Sequence, residues 1–358
     1  MRVKNSDFRT IWCDQNNSIK IIDQTFLPFE LVIKEIITPE DAAESILNMR
    51  VRGAPLIGIT AAFGVYLAAR LSNDIEYIRK EANKLILTRP TAINLKWAVD
   101  QMLQLLVSCD KSEREQVSLN YAKSLAEEDI LISKRIGKFG LKIIDKIYKT
   151  KKKTVNILTH CNAGWLAAVD VGTATAPIYE ARDKKIPIHV WVDETRPRNQ
   201  GASLTSWELI NENIDHTVVV DNAGGHLMQN DLVDLVITGS DRTTFTGDVC
   251  NKIGTYLKAL AANANNVPFY VALPTSTIDW NISKGEDIEI EERSENEVHF
   301  MRGTNSNSNT ENFRITLPNA KAANYAFDVT PKELVTGLIT EHGIIKPNEF
   351  EISKLKNK

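Results

Sequence analysis

Two titratable side chains stand just beyond the ends of apolar runs: Cys161, after Ile157-Leu158-Thr159-His160, and Asp241, after Ile237-Thr238-Gly239-Ser240. A thiol where a buried strand gives way to a helix sits near the helix amides, which favour thiolate, and points into the crevice at the carboxyl end of a parallel sheet. Free cysteine also serves as a small buried hydrophobe, so position alone does not make it reactive. Asp241 faces a similar crevice, where a dry surrounding raises a carboxyl's pKa until it holds a proton near neutrality. Such a group can act as a general acid.

Four further segments carry groups suited to a phosphorylated, hydroxyl-rich ligand. In Arg52-Gly53-Ala54-Pro55 an arginine and two small residues lead through a proline into a helix, whose first amides lack intrahelical partners and are open to an anion. Arg89 stands beside Pro90, which suits a fixed, bidentate phosphate contact. Residues 193–200 are almost all able to hydrogen-bond, and Gln200 can both donate and accept, as sugar hydroxyls require. Asn251 and Lys252 are expected to open a helix, bringing an amide, an ammonium and helix-end N–H groups together. Each also has a bland reading: a tight turn, a solvated arginine, a salt-bridged loop, a surface charge. The GxGxxG fingerprint is absent after the first strand of the second half, where Cys161-Asn162-Ala163-Gly164-Trp165 stands, and no GxxxxGK[ST] occurs. Any phosphate site is therefore built from other parts.

The elements that must position these groups change character along the chain. Short alternating pieces up to about residue 37 suit a small sheet of hairpins. Thr38-Pro39-Glu40-Asp41 starts a helix, others follow Gly53, Leu71 and Thr91, and a long helical stretch at 113–149 is expected to break near Gly137 and Gly140. Apolar, β-branched runs at 154–159, 186–192, 217–220, 232–238 and 267–273 then read as buried parallel strands. The fold class is α/β: a small, mostly helical N-terminal domain with a short antiparallel sheet over 1–125, and a Rossmann-like parallel-sheet domain over 126–358. Residues 303–310, rich in Asn and Ser, read as a mobile surface loop.

Composition narrows the function classes. A net charge of −3 and the absence of a long basic block argue against nucleic acid as partner. Four dispersed cysteines without CxxC spacing argue against a zinc site or a disulfide framework. No run of about 18 uncharged apolar residues occurs and residues 1–7 lack an apolar core, so a cytoplasmic protein without membrane contact is expected.

Taken together, Arg52-Gly53-Ala54-Pro55, Thr88-Arg89-Pro90-Thr91, Thr159-His160-Cys161-Asn162-Ala163-Gly164, Asp193-Glu194-Thr195-Arg196-Pro197, Gly239-Ser240-Asp241-Arg242, and Gly247-Asp248 with Asn251-Lys252-Ile253-Gly254-Thr255 resemble the methylthioribose-1-phosphate isomerases. The resemblance runs from Leu27-Pro28 to Phe327-Asp328-Val329-Thr330-Pro331. It implies conversion of 5-methylthioribose 1-phosphate to 5-methylthioribulose 1-phosphate in methionine salvage, by a homodimer, with no metal or organic cofactor. Asp241 matches the family's catalytic acid and Cys161 its catalytic cysteine, which would move the C2 proton through a phosphoenolate unless a hydride passes from C2 to C1. Arg52, Gly53, Ala54, Arg89, Gln200, Asn251 and Lys252 match its substrate-binding positions. Residues 243–246 and Cys250 depart from the family pattern beside the acid. A 5-deoxyribose 1-phosphate isomerase would share every other contact, and the same superfamily includes regulatory subunits of a translation-initiation exchange factor, so fold alone does not decide.

Overall fold

The computed structural model describes residues 1–4 and 6–356. Near the N-terminus, strands Ile11–Cys13, Ile19–Ile22 and Ile33–Ile36 form an antiparallel sheet with Ile19–Ile22 in the middle. Helix α1 (Pro39–Leu47) then starts in a capping box. The Asp41 amide donates to Thr38 Oγ1 at 3.1 Å, and the Thr38 amide donates to Asp41 Oδ2 at 3.0 Å. Such a cap contributes about 1 kcal/mol and fixes where the helix begins.

Helices α2 (Ala54–Leu71), α3 (Ile75–Thr88) and α4 (Ile93–Ser108) complete the N-terminal half. α2 is long and apolar enough, by length and composition, to cross a membrane, with a mean hydropathy of 1.5. Its place accounts for this: α1, α3, α4 and the next helix surround it, and Leu56, Phe63 and Leu67 lie at the centre of the core. A helix enclosed on all sides has no polar face to keep.

Helix α5 (Arg114–Lys151) runs 38 residues without interruption. The break expected near Gly137 and Gly140 does not occur. A Cβ at Gly140 would strike Pro177, and one at Gly137 would come within 3.1 Å of the Ala176 carbonyl oxygen. Both glycines instead admit helix α6 (Ala176–Asp183) against the face of α5. Leu119, Ala122, Leu125 and Ile130 of α5 belong to the N-terminal core, and Ile136 and Ile144 to the core of the second half.

That second half is built on a seven-stranded sheet in the order Gly343–Ile345, Gly337–Thr340, Phe269–Ala272, Leu235–Thr238, Val155–Thr159, Ile188–Asp193, His216–Val219. Only the first pair is antiparallel. Ile157 and Ile237 face one core, Leu158 and Val236 the other, so the central strands are apolar on both sides. Chain order reverses direction between Val155–Thr159 and Leu235–Thr238, which makes their carboxyl ends the crevice where a doubly wound sheet binds its ligand. A smaller sheet, Ile278–Asp279, Arg242–Thr244, Val249–Lys252, Phe327–Thr330, stands beside it.

Candidate active site

Cys161 and Asp241 leave the two strands that flank this reversal, and both line one cavity with Arg52, Gly53, Ala54 and Asn251. An adjoining small cavity adds Arg89 to Gly53, Ala54 and Asp241; a larger one, about 1110 Å³, joins Gln200 to Arg52. Lys252 lies within electrostatic reach of both Cys161 and Asp241. Eight of the nine residues singled out from sequence thus line three cavities that share Arg52, Gly53, Ala54 or Asp241 at their borders, and Lys252 stands behind them.

Several arrive by routes the sequence did not indicate. No helix follows Cys161; a single short turn, Trp165–Ala167, precedes α6, which begins fifteen residues later at Ala176. The expected helix dipole is therefore missing, and burial pushes the thiol pKa up, although Arg52 and Lys252 pull it back. Cys161 has a φ of 64°, unusual for a residue with a Cβ. Its amide donates to Thr195 Oγ1 at 2.8 Å and its carbonyl accepts from Thr205 Oγ1 at 2.7 Å, which together hold the conformation.

Asn251 and Lys252 end a strand rather than open a helix. The strand pairs with Phe327–Thr330, and the next helix, Thr255–Ala264, begins only after Gly254. Asp328 takes the amides of Gly254 and Tyr256 at 2.7 and 3.1 Å, so those helix-end donors are not free for a ligand. Lys252 is buried, with its ammonium 4.9 Å above the Phe327 ring, and burial lowers its pKa. Asp241 lies between Leu235–Thr238 and Arg242–Thr244, its amide donating to the Cys250 carbonyl at 3.0 Å. Desolvation raises its carboxyl above the usual range, against the pull of Lys252, Arg52 and Arg89.

Of the polar run after Asp193, most members serve the scaffold. Asp193 is buried between His160 Nδ1 at 2.8 Å and Lys258 Nζ at 3.0 Å, Arg196 donates to the Val298 carbonyl, and Arg198 pairs with Glu297 at 2.9 Å. His160 Nε2 donates to the Ile253 carbonyl at 2.8 Å, tying the exit of the Cys161 strand to the residue after Lys252. His160, Asp193 and Asp221 have ligand atoms close enough to share a metal ion, but the Lys258 ammonium already stands against Asp193 as the local cation.

Gln200 faces the cavity with Oε1 buried and without a hydrogen-bond partner among the described residues, as is Arg89 Nε. Arg89 otherwise pairs with Glu291 at 2.8 Å, and Arg293 backs Glu291 at 2.7 Å. Despite its burial, that carboxyl is held below its usual pKa by Arg89 and Arg293. An unpaired buried donor beside one of these cavities and an unpaired buried acceptor beside another are what a bound phosphate and hydroxyl would satisfy. Gly53 has a φ of 96°, and a Cβ there would come within 2.5 Å of Ala167. Only glycine lets the uncapped start of α2 approach the cavity so closely.

The segment expected to be a mobile loop at 303–310 is the tip of a hairpin, Phe300–Thr304 with Thr310–Arg314. Asn305 Oδ1 accepts from the amides of Asn307 and Asn309 at 2.9 and 3.0 Å, which orders the turn. The hairpin walls the larger cavity, and Arg302 lies 5.4 Å from the Phe26 ring across it.

Sequence reasoning passed over Glu208, Glu291, Lys258 and Asn162 as working groups. Asn162 stands inside the Thr159–Gly164 motif without a sign of its contact with Arg52, and for Glu208 the available signal was a charge inside an otherwise apolar helix, Trp207-Glu208-Leu209-Ile210.

Residues 50–347 match the Initiation factor 2 subunit family. The chain is similar to the methylthioribose-1-phosphate isomerase of Gluconobacter oxydans, 51% identical over 99% of this chain and 98% of that protein, and to that of Paramagnetospirillum magneticum, 53% identical over 96% of each. In structure it resembles 5-methylthioribose 1-phosphate isomerase from Pyrococcus horikoshii OT3, with a TM-score of 0.84 and 36% identity over 98% of this chain and 96% of that one. It also resembles a structure from A. fulgidus described as translation initiation factor eIF-2B, subunit delta, with a TM-score of 0.81 and 38% identity over 98% of this chain and 100% of that one.

Proposed function

The chain belongs to the Initiation factor 2 subunit family, and within that family we propose that it is an aldose–ketose isomerase acting on 5-methylthioribose 1-phosphate. The observation that carries the reading is the desolvated Asp241 carboxyl, which lines one cavity with the desolvated Cys161 thiol and Arg52 and an adjoining one with Arg89, while the Lys252 ammonium acts on both the carboxyl and the thiol. A regulatory subunit would leave Cys161 and Asp241 without work to do.

Phosphorylation of the anomeric oxygen locks the sugar ring, so opening must come before isomerisation. In our reading the phosphate lies against the start of α2 (Gly53, Ala54) with Arg52, Arg89 and Lys252, and Gln200 and Asn251 take hydroxyls. Asp241, whose hold on a proton burial strengthens, protonates the ring oxygen as the ring opens. Two routes then lead to the ketose. Either Cys161 as thiolate takes the C2 proton and returns it to C1 through a phosphoenolate, or a hydride passes from C2 to C1; in both routes the C2 hydroxyl gives its proton to the Asp241 carboxylate left by ring opening. Burial keeps Cys161 as a neutral thiol, which weakens it as a resting base and favours the hydride route, with the thiol beside the reacting carbons in a dry site.

We further propose a division into two domains near residue 125, a homodimeric assembly and a cytoplasmic location, without nucleic acid or membrane as partner. The 5-deoxy sugar phosphate is the rival substrate, and one methylthio group discriminates by about 1–3 kcal/mol. Turnover of both sugars, followed by phosphorus NMR, tests the reading. A preference for the methylthio sugar supports it, an equal or reversed preference moves the protein to deoxyribose salvage, and no turnover of either overturns it.

A further inference from the structure

Arg52 is held in a way that leaves its charge unspent. Nη1 donates to Asn162 Oδ1 at 2.5 Å and Nη2 to the Asn162 carbonyl at 2.6 Å, so both partners are neutral. An amide side chain can face an arginine with either end, and only one end accepts. What turns Asn162 the right way is behind it. Asn162 Nδ2 donates to Glu208 Oε1 at 2.9 Å and to Thr205 Oγ1 at 3.1 Å. The Thr205 hydroxyl gives its one proton to the Cys161 carbonyl, so towards Asn162 it can only accept. Glu208 likewise accepts, and its whole residue is buried, at 0% exposure.

Glu208 is fully committed. Besides Asn162, its carboxylate takes the Leu166 amide at 2.9 Å, the Trp165 amide at 3.2 Å and the Tyr179 hydroxyl at 2.7 Å. A Cβ at Gly164 would collide with it. Glu208 lies on helix α7 (Ser206–Asn211), which continues directly from the turn carrying Gln200, so the element that presents Gln200 also holds the segment 161–166.

We infer that Glu208 is the positioning residue of the phosphate site: acting through Asn162, it fixes the Arg52 guanidinium while keeping a carboxylate one neutral amide away from it. A carboxylate in direct contact would neutralise Arg52 and compete with a phosphate dianion; the relay supplies the orientation without that competition. The inference rests on the proposed function, since it takes Arg52 to bind the substrate phosphate.

The relay makes a prediction that a purely structural role does not. Glu208→Met removes the acceptor and frees Asn162 to turn. Its KM for 5-methylthioribose 1-phosphate and its inhibition constant for inorganic phosphate should both rise about tenfold or more, with kcat changed much less. Glu208→Gln, whose oxygen can still accept from Asn162 and the Leu166 amide while its NH2 faces the Tyr179 hydroxyl and gives up only the long bond from the Trp165 amide, should recover most of that loss. Tyr179→Phe removes a different donor to the same carboxylate and should lower Tm while leaving KM near the wild-type value. Asn162→Ala breaks the relay with the other three donors to Glu208 in place, so it should raise KM as Glu208→Met does and decides the matter if the latter fails to fold. KM and the phosphate inhibition constant within twofold of wild type in Asn162→Ala, or an equal rise in Tyr179→Phe, overturns the inference. Wild-type protein inactive on either sugar overturns the proposed function instead, while phosphate binding measured directly by calorimetry on the same variants still tests the relay.

Discussion

Neutralising Asp129 should stabilise the protein at alkaline pH and do nothing at acid pH. Asp129 lies on α5, is 8% exposed, and accepts one hydrogen bond, from the Val169 amide at 2.8 Å. Burial, with a smaller contribution from the nearby Asp170, raises its carboxyl from 3.8 to about 7, against the pull of the Val169 amide. Between those two values the folded chain keeps a proton that the unfolded chain has lost, so stability falls as pH rises from about 4 to about 7 and is level above. At about 1.4 kcal/mol per pH unit the whole gap is worth roughly 4 kcal/mol, and relaxation around the charge would reduce what is measured to about 2–4 kcal/mol. Asn at this position keeps an oxygen for the Val169 amide and carries no charge. Urea unfolding of wild type and Asp129→Asn, in steps from pH 4 to pH 9, measures the difference. The variant's advantage should grow through the interval and then hold constant; a difference that does not change with pH, or a less stable variant at pH 9, refutes the reasoning.

Asp241→Asn should lower kcat by about a thousandfold and Cys161→Ser, which puts a more polar group beside the reacting carbons, by about tenfold or more, each with Tm within a few degrees of wild type, measured by phosphorus NMR turnover and thermal melting. With substrate deuterated at C2 and turned over in ordinary water, the hydride route retains deuterium at C1 of the ketose; complete washout into solvent would assign the step to proton transfer. Lys252→Ala should act mainly through KM, seen in initial-rate kinetics, because its buried ammonium serves ground-state phosphate binding in our reading. Turnover should survive prolonged EDTA treatment, since the Lys258 ammonium already serves as the cation at the His160–Asp193 cluster.

Legibility in the sequence followed the range of the forces involved. Five of the seven sheet strands were visible, the central ones because they are apolar on both faces, and the start of α1 because its cap is complete within four residues; Gly337–Thr340 and Gly343–Ile345 were passed over. Asn251 and Lys252 were misjudged because their strand partners are Asp328 and Phe327, some 75 positions away, while only Val249 and Cys250 pair locally. The turn after Cys161 was misjudged for a related reason: its left-handed backbone is held by Thr195 and Thr205, which local propensity does not reveal. Gly137 and Gly140 carry the opposite lesson, since a residue that usually ends helices is here consumed by a close crossing with α6. The motifs located the groups facing the cavity; the Glu208–Asn162 pair that holds one of them is assembled only by tertiary contact.

The continuity of α5 ties the geometry of the site to a count of residues. Its first turns are embedded in the packing that carries Arg52 and Arg89, its last turns in the packing that carries Cys161 and Asp241. A helix advances about 1.5 Å and turns about 100° per residue. One residue inserted or deleted near the middle of α5 would therefore rotate one half of the molecule against the other by more than a quarter turn, and Arg52 would no longer stand beside the thiol. Substitutions along the exposed face of this helix are cheap, but a change in its length is not, and the helix acts as a gauge that sets the phase between the two halves of the site.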